Sequence, residues 1–147
     1  MRTVVNNVLI DTSAWIDFFR SSNGMAGDMV TDLIRLDNAY LTGPVIAELL
    51  HGVRGKKEIS QLNFIFTTIP CLEIIHNDWE VTGDTLRQLR EKGLSIPLTD
   101  VLIASVATRN NMSVLTLDKH FQHLTVECLN FTILPPKAEI KRLVLDL

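Results

Sequence analysis

Short apolar runs rich in β-branched residues alternate with segments of helical periodicity along almost the whole chain, and this alternation restricts the fold more than any other feature. Val8-Leu9-Ile10 has no polar side to give to solvent, so it reads as a strand covered on both faces. Asp11-Thr12-Ser13 follows with groups that can cap a helix beginning at Ala14, which Ser21-Ser22-Asn23-Gly24 then stops. A second helix is expected over 26–36, a strand at Ala39-Tyr40-Leu41-Thr42, and a helix from Pro44 to about Val53, because proline is preset for a first helical turn. Residues 56–66 read as helical and Ile69-Pro70-Cys71-Leu72 as an ambiguous extended stretch. A polar surface helix over 79–92 closes at Gly93, and Thr99 is placed to cap a helix over 100–110 that is apolar on nearly all sides and so belongs inside the fold. Ser113-Val114-Leu115-Thr116 is a further strand, residues 118–123 a helical turn, and Phe131-Thr132-Ile133-Leu134 a last strand before Pro135-Pro136. The pattern implies an α/β fold of three layers, with a central, mostly parallel β-sheet flanked by helices.

Length and composition agree. A chain of 147 residues, 46% hydrophobic and 21% charged, is expected to form a single domain over 1–147, burying roughly 70% of the surface its unfolded form exposes. The apolar run Val101–Ala107 is broken by Ser105 and is far short of the roughly 20 residues that span a bilayer, so no membrane segment is expected. The first residues turn polar before a secretory h-region develops, which makes the cytoplasm the expected compartment. Cys71 and Cys128 lack any metal or redox spacing and read as small buried apolar residues.

In parallel α/β sheets ligands bind beyond the carboxyl ends of the strands, so acids there are inspected first. Asp11 follows the first strand, Asp118 follows the strand ending at Thr116, and Asp100 opens the buried helix. Singly, each is also an ordinary first-turn acid, favoured by the helix dipole. Glu48 lies on the flank opposite the stripe Val45, Ile46, Leu49, Leu50, Val53, where helical geometry alone makes it solvated. Together, carboxylates at one sheet edge repel one another unless some are protonated or a cation sits between them. Oxygen ligands select hard cations such as Mg²⁺ or Mn²⁺.

Four segments carry a resemblance. Leu9-Ile10-Asp11-Thr12-Ser13-Ala14-Trp15-Ile16-Asp17, Val45-Ile46-Ala47-Glu48-Leu49-Leu50-His51-Gly52-Val53, Thr99-Asp100-Val101-Leu102-Ile103-Ala104-Ser105-Val106-Ala107 and Leu115-Thr116-Leu117-Asp118-Lys119-His120-Phe121 occur in the order seen in PIN-domain ribonucleases. The chain resembles most the VapC toxins of prokaryotic toxin–antitoxin modules, over Val8 to Phe121. The resemblance implies a PIN-like fold and an acidic quartet of Asp11, Glu48, Asp100 and Asp118, serving as catalytic residues and metal ligands, with Thr12, Ser13 and Thr116 as supporting hydroxyls. It further implies Mg²⁺-dependent endonucleolytic cleavage of RNA, Mn²⁺ being a possible substitute, by a metal-activated water that leaves 5′-phosphate and 3′-OH ends. A cognate antitoxin that occupies the active-site groove and a homodimer are its implied partners.

A formal charge of −3, from 14 basic and 17 acidic residues, runs against an RNA substrate. Setting the quartet aside leaves 13 acids against 14 bases, so binding rests on local patches. Arg54, Lys56 and Lys57 follow the helix carrying Glu48, and Arg87, Arg90 and Lys92 precede the helix carrying Asp100; both clusters also read as ordinary solvated helix ends. His51, His76, His120 and His123 are expected to play no part, since a metal-activated water needs no histidine base. Trp15, Phe18 and Phe19 read mainly as core, with an apolar surplus around Ile16 available to a protein partner. The competing readings are a PIN-like enzyme acting on DNA or structured flaps, a phosphoryl-transfer or phosphoreceiver domain, and a non-catalytic RNA-binding module that uses Mg²⁺ structurally. A phosphoryl-transfer enzyme calls for DxD after its first strand and a phosphoreceiver for an acidic pair just before the strand of its phosphorylated Asp, whereas here Asp11 is followed by Thr12-Ser13.

Overall fold

The computed structural model describes residues 7–20, 24–126 and 128–129. Its strands are β1 (Val8–Ile10), β2 (Ala39–Thr42), β3 (Cys71–Leu72), β4 (Ser113–Leu115) and β5 (Cys128–Leu129), all parallel, in the order β3-β2-β1-β4-β5. The helices are α1 (Thr12–Arg20), α2 (Met25–Arg35), α3 (Gly43–Gly52), α4 (Lys56–Thr68), α5 (His76–Glu91) and α6 (Leu98–Arg109), with a 3₁₀ turn at Lys119–His123. β1 sits mid-sheet with Val8, Leu9 and Ile10 all buried, as a strand without a polar side requires.

The winding decides where a ligand can sit. From β1 the chain steps to β2 and then to β3 on one side; it next crosses back over both to place β4 and β5 on the other side. Crossovers of parallel strands are right-handed, so reversing the direction of travel moves the connecting helices to the opposite face. α1 packs on α2 and α3, and α3 on α4, while α5 pairs with α6. The result is three layers with a topological switch point between the carboxyl ends of β1 and β4.

Local chemistry explains the elements. α6 buries Val101, Leu102, Ile103, Ala104, Val106 and Ala107, as its all-round apolar pattern demands. α1 and α2 approach closely because a Cβ at Gly27 would lie 3.0 Å from the Phe18 Cα, and the Gly27 amide donates to Asp17 at 2.9 Å. Gly93, at φ +79°, ends α5 in the left-handed conformation that favours glycine, and the next amide, Leu94, donates to the Leu89 carbonyl at 2.9 Å.

Several boundaries differ from the sequence reading. α6 begins at Leu98, entered from Pro97 at φ −56°, so Thr99 lies inside the first turn and makes no cap. α1 begins at Thr12, where the Asp11 carbonyl accepts the amides of Ala14 and Trp15. α5 starts three residues before Trp79 because Asp78 folds back to accept the Ile75 amide at 2.9 Å. The ambiguous stretch at 69–72 contributes the two-residue edge strand β3, and β5 forms at 128–129, where the sequence pattern marks no element. The strand expected at 131–134 lies outside the described residues. Cys71 is exposed rather than buried, because β3 lies at the sheet edge; Cys128 is half-buried, and both thiols are free.

Candidate metal centre

Asp11 stands directly beyond β1, and its amide donates to the Leu115 carbonyl at 3.0 Å, which ties it to the end of β4. Its Oδ2 accepts from Ser13 Oγ and from Thr116 Oγ1, each at 2.9 Å. The same hydroxyls work a second time. Ser13 Oγ accepts the Leu117 amide and Thr116 Oγ1 accepts the Asp118 amide, both at 2.9 Å, so the β4 exit loop is strapped to the start of α1. Two of the three expected supporting hydroxyls therefore hold the site together, while Thr12 Oγ1 is buried without a hydrogen-bond partner.

Asp118 leads into the 3₁₀ turn and caps it, its Oδ1 accepting the His120 amide at 2.9 Å. The cap turns the imidazole back over the switch point. His120 Nδ1 lies 2.9 Å from Asp118 Oδ1 and 3.0 Å from Oδ2 of Asp100, which enters from the first turn of α6. Asp100, Asp118 and His120 present donor atoms that all lie within 4.8 Å of one another, a grouping able to hold a metal ion. Glu48 is exposed on α3 and hydrogen-bonds to none of these groups, yet it lies within the fields of Asp11 and Asp118.

The electrostatics record a shortage of positive charge. Burial, and then the Asp118 and Asp11 carboxylates, push the Asp100 carboxyl up to about 6 against the opposing pull of His120. Burial also raises Asp11, although the hydroxyls of Thr116 and Ser13 offset part of the effect, and burial followed by Asp11 and Asp118 raises Glu48. His120 is held above its ordinary value chiefly by its hydrogen bond to Asp100. Three acids drawn together at a cost to their ionised forms are a site that a divalent cation fits.

A groove of about 730 Å³ opens beside Glu48, with Ile16, Phe19, Leu62, Arg54 and Lys57 among its walls. The first basic cluster thus reaches the groove through Arg54 and Lys57 but not Lys56, and no member of the second cluster lines it. Arg87 is instead paired with Asp84 along α5 at 3.1 Å. Trp15 is fully buried, whereas Phe18 is half-buried and Phe19 exposed, so the apolar surplus on α1 faces outward.

The sequence expects no part for the histidines and an oxygen-only site; the structure places His120 Nδ1 against the Asp100 and Asp118 carboxylates. A signal was present in Asp118-Lys119-His120, where a capping aspartate two residues before a histidine returns the ring toward its own carboxylate. His123, three residues later, is exposed and outside the cluster.

Comparison with known proteins agrees with this architecture. The PIN-domain family pattern matches residues 8–127, and the chain belongs to that family. It is 27% identical over 118 residues to Ribonuclease VapC11 of Mycobacterium tuberculosis, covering 78% of this chain and 88% of that protein. With Ribonuclease VapC1 of Methanocaldococcus jannaschii it shares 28% identity over 123 residues, covering 81% and 82% of the two chains. Among solved structures, VapBC2 from Rickettsia felis bound to a DNA fragment from its promoter superposes with a TM-score of 0.71 at 22% identity, covering 84% of this chain and 96% of that one. Among the described residues no helix is long and apolar enough to cross a membrane.

Proposed function

We propose that this chain is a single PIN domain acting as a metal-dependent endoribonuclease, the toxin of a type II toxin–antitoxin module, with Mg²⁺ as the working ion and Mn²⁺ as a substitute. The observation that carries the reading is the meeting of Asp11, Asp100 and Asp118 at the switch point, with Glu48 in their field and three of the four carboxyls raised by burial and mutual repulsion. Similarity to two VapC ribonucleases supports RNA as the substrate.

Asp11, Glu48, Asp100 and Asp118 are the residues that would hold the ion. When bound, the cation supplies an activated water nucleophile for phosphodiester hydrolysis and offsets charge on the phosphate. The chain supplies the positioning. Ser13 and Thr116 both hold Oδ2 of the Asp11 carboxylate, and the Asp118 cap fixes the loop that follows β4. Arg54 and Lys57 provide phosphate contacts in the groove, and Phe19 and Ile16 an apolar wall for bases. An antitoxin segment is expected to compete for the same groove, and a second copy of the chain to complete a dimer. Support for protein partners comes from the VapBC assembly among the structural neighbours and from the exposed Ile59 and Phe64 on α4. The cytoplasm, where an RNA substrate is found, is the compartment this function requires.

Incubation of the purified, partner-free chain with total bacterial RNA, with Mg²⁺ or EDTA and beside Asp100→Asn, tests the assignment. Discrete Mg²⁺-dependent cuts with 5′-phosphate ends, absent in the variant, are expected. Cuts that survive EDTA, or that leave 2′,3′-cyclic phosphates, overturn it.

A further inference from the structure

His120 meets two carboxylates through one ring nitrogen, and a single N–H can hydrogen-bond only one of them well. One nitrogen, Nδ1, faces Asp118 Oδ1 at 2.9 Å and Asp100 Oδ2 at 3.0 Å. A single Nδ1–H has one hydrogen to give, and it hydrogen-bonds Asp100 Oδ2, which leaves Asp118 Oδ1, almost equally near, with the weaker share of it. An ion bound by all three atoms satisfies them together. Octahedral ligands at 2.0–2.1 Å from a metal stand about 3 Å apart along each edge, the separation seen here between the nitrogen and each oxygen. The ring is also held in place: the His120 amide is bound to the same Asp118 carboxylate, and Asp100 is anchored in α6.

We propose that His120 Nδ1 is a direct ligand of the metal, which makes the centre a mixed nitrogen–oxygen site that binds Mn²⁺ more tightly than Mg²⁺, whichever ion is the more abundant and so the working one. This rests on the reading of Asp100 and Asp118 as metal ligands. The chemistry follows from donor type: Mg²⁺ is taken almost entirely by oxygen, whereas imidazole suits first-row transition ions. As a ligand the ring must be neutral, so Nδ1 binds the ion and the ring proton is carried on Nε2.

The metal-free chain titrated with Mn²⁺ and with Mg²⁺ by calorimetry, together with pulsed electron paramagnetic resonance of bound Mn²⁺, tests this without recourse to activity. The wild-type chain is expected to show ¹⁴N modulation from a coordinated imidazole. In His120→Ala that modulation disappears and Mn²⁺ affinity falls about tenfold or more, while Mg²⁺ affinity changes far less. His120→Gln, which returns an oxygen donor, keeps Mg²⁺ binding and also lacks the ¹⁴N signal, and its circular dichroism melt checks that the fold survives. Mn²⁺ bound by the wild-type chain without ¹⁴N coupling, or with coupling that persists in His120→Ala, overturns the ligand assignment and leaves the carboxylate centre standing. Divalent binding that is absent, or is untouched by Asp100→Asn, overturns the metal centre itself and the ligand assignment with it.

Discussion

α5 and α6 pack against each other and each carries an aspartate in its first turn, yet the two carboxyls have opposite surroundings. Asp78 is 1% exposed and receives Nε of Arg109 at 2.8 Å, Nη2 at 2.9 Å and the Ile75 amide at 2.9 Å. Burial alone would raise it, but the Arg109 hydrogen bonds, the Ile75 amide and the Arg109 charge outweigh burial and hold it below the usual carboxylate range. Asp100 is 8% exposed, faces Asp118 and Asp11, and is pushed up to about 6. The difference separates two uses of a buried acid. One has its cost met inside the fold and fastens two helices; the other is left short of positive charge and is suited to a cation that arrives from outside.

Replacing Asp100 should separate the two uses most sharply. Asp100→Asn is expected to lower RNA cleavage about 100-fold or more while raising stability at pH 7 by about 1–3 kcal/mol, read as a higher Tm. The sign follows from a folded-state value raised from 3.8 to about 6. The ionised carboxylate costs stability in full above pH 6, and the cost shrinks as pH falls and is gone below about 3.8. The variant's advantage should therefore vanish by about pH 4. A Tm at pH 7 equal to or below that of the wild type breaks the comparison.

Asp78→Ala should do the reverse. We expect a loss of about 2 kcal/mol in urea unfolding, with cleavage by the folded protein retained. Because Asp78 is lowered from 3.8, its contribution is fully present above that pH and is lost as pH falls through its folded value, so the gap between variant and wild type should close in acid. Loss of cleavage without loss of stability would place Asp78 in the site after all.

Metal affinity sharpens the contrast in solution. Protons compete with the ion for Asp100 and, at higher pH, for the His120 ring, which is held above its ordinary value, so affinity should fall by at least roughly tenfold per pH unit below 6 and keep rising above it. Calorimetry from pH 5 to 7.5 measures this, and a flat profile removes Asp100 from the ligand set. The smallest effect belongs to the groove. In an Asp100→Asn background, Arg54→Ala with Lys57→Ala should make the log–log salt slope of single-stranded RNA binding shallower by about 1.4, measured by fluorescence anisotropy. An unchanged slope takes these two residues off the RNA path.

Much of this was legible along the chain because it depends on short-range pattern. Val8-Leu9-Ile10 and the all-round apolar α6 announce a covered parallel sheet, and the acids beyond strand ends mark its carboxyl rim. Helix starts were less legible, since the cap of α5 is a carboxylate that folds back from Asp78 and the entry to α6 is a proline torsion, neither of which is a capping side chain ahead of the helix. Burial of Cys71 was misjudged because local hydropathy does not say that its strand lies at the edge of the sheet.

By itself, the sequence determined the alternation of strand and helix and the apolar positions that must be covered, because each is expressed within one element and obeys its period, whereas the acidic quartet was implied by resemblance. Only the tertiary structure decided which groups meet. Asp11 and Thr116 are 105 residues apart and touch at 2.9 Å because the winding reverses between β1 and β4, and His120 reaches Asp100 because a 3₁₀ turn capped by Asp118 swings its ring over α6. Crossover direction and strand register set those distances; they are properties of the whole sheet, which no single segment encodes.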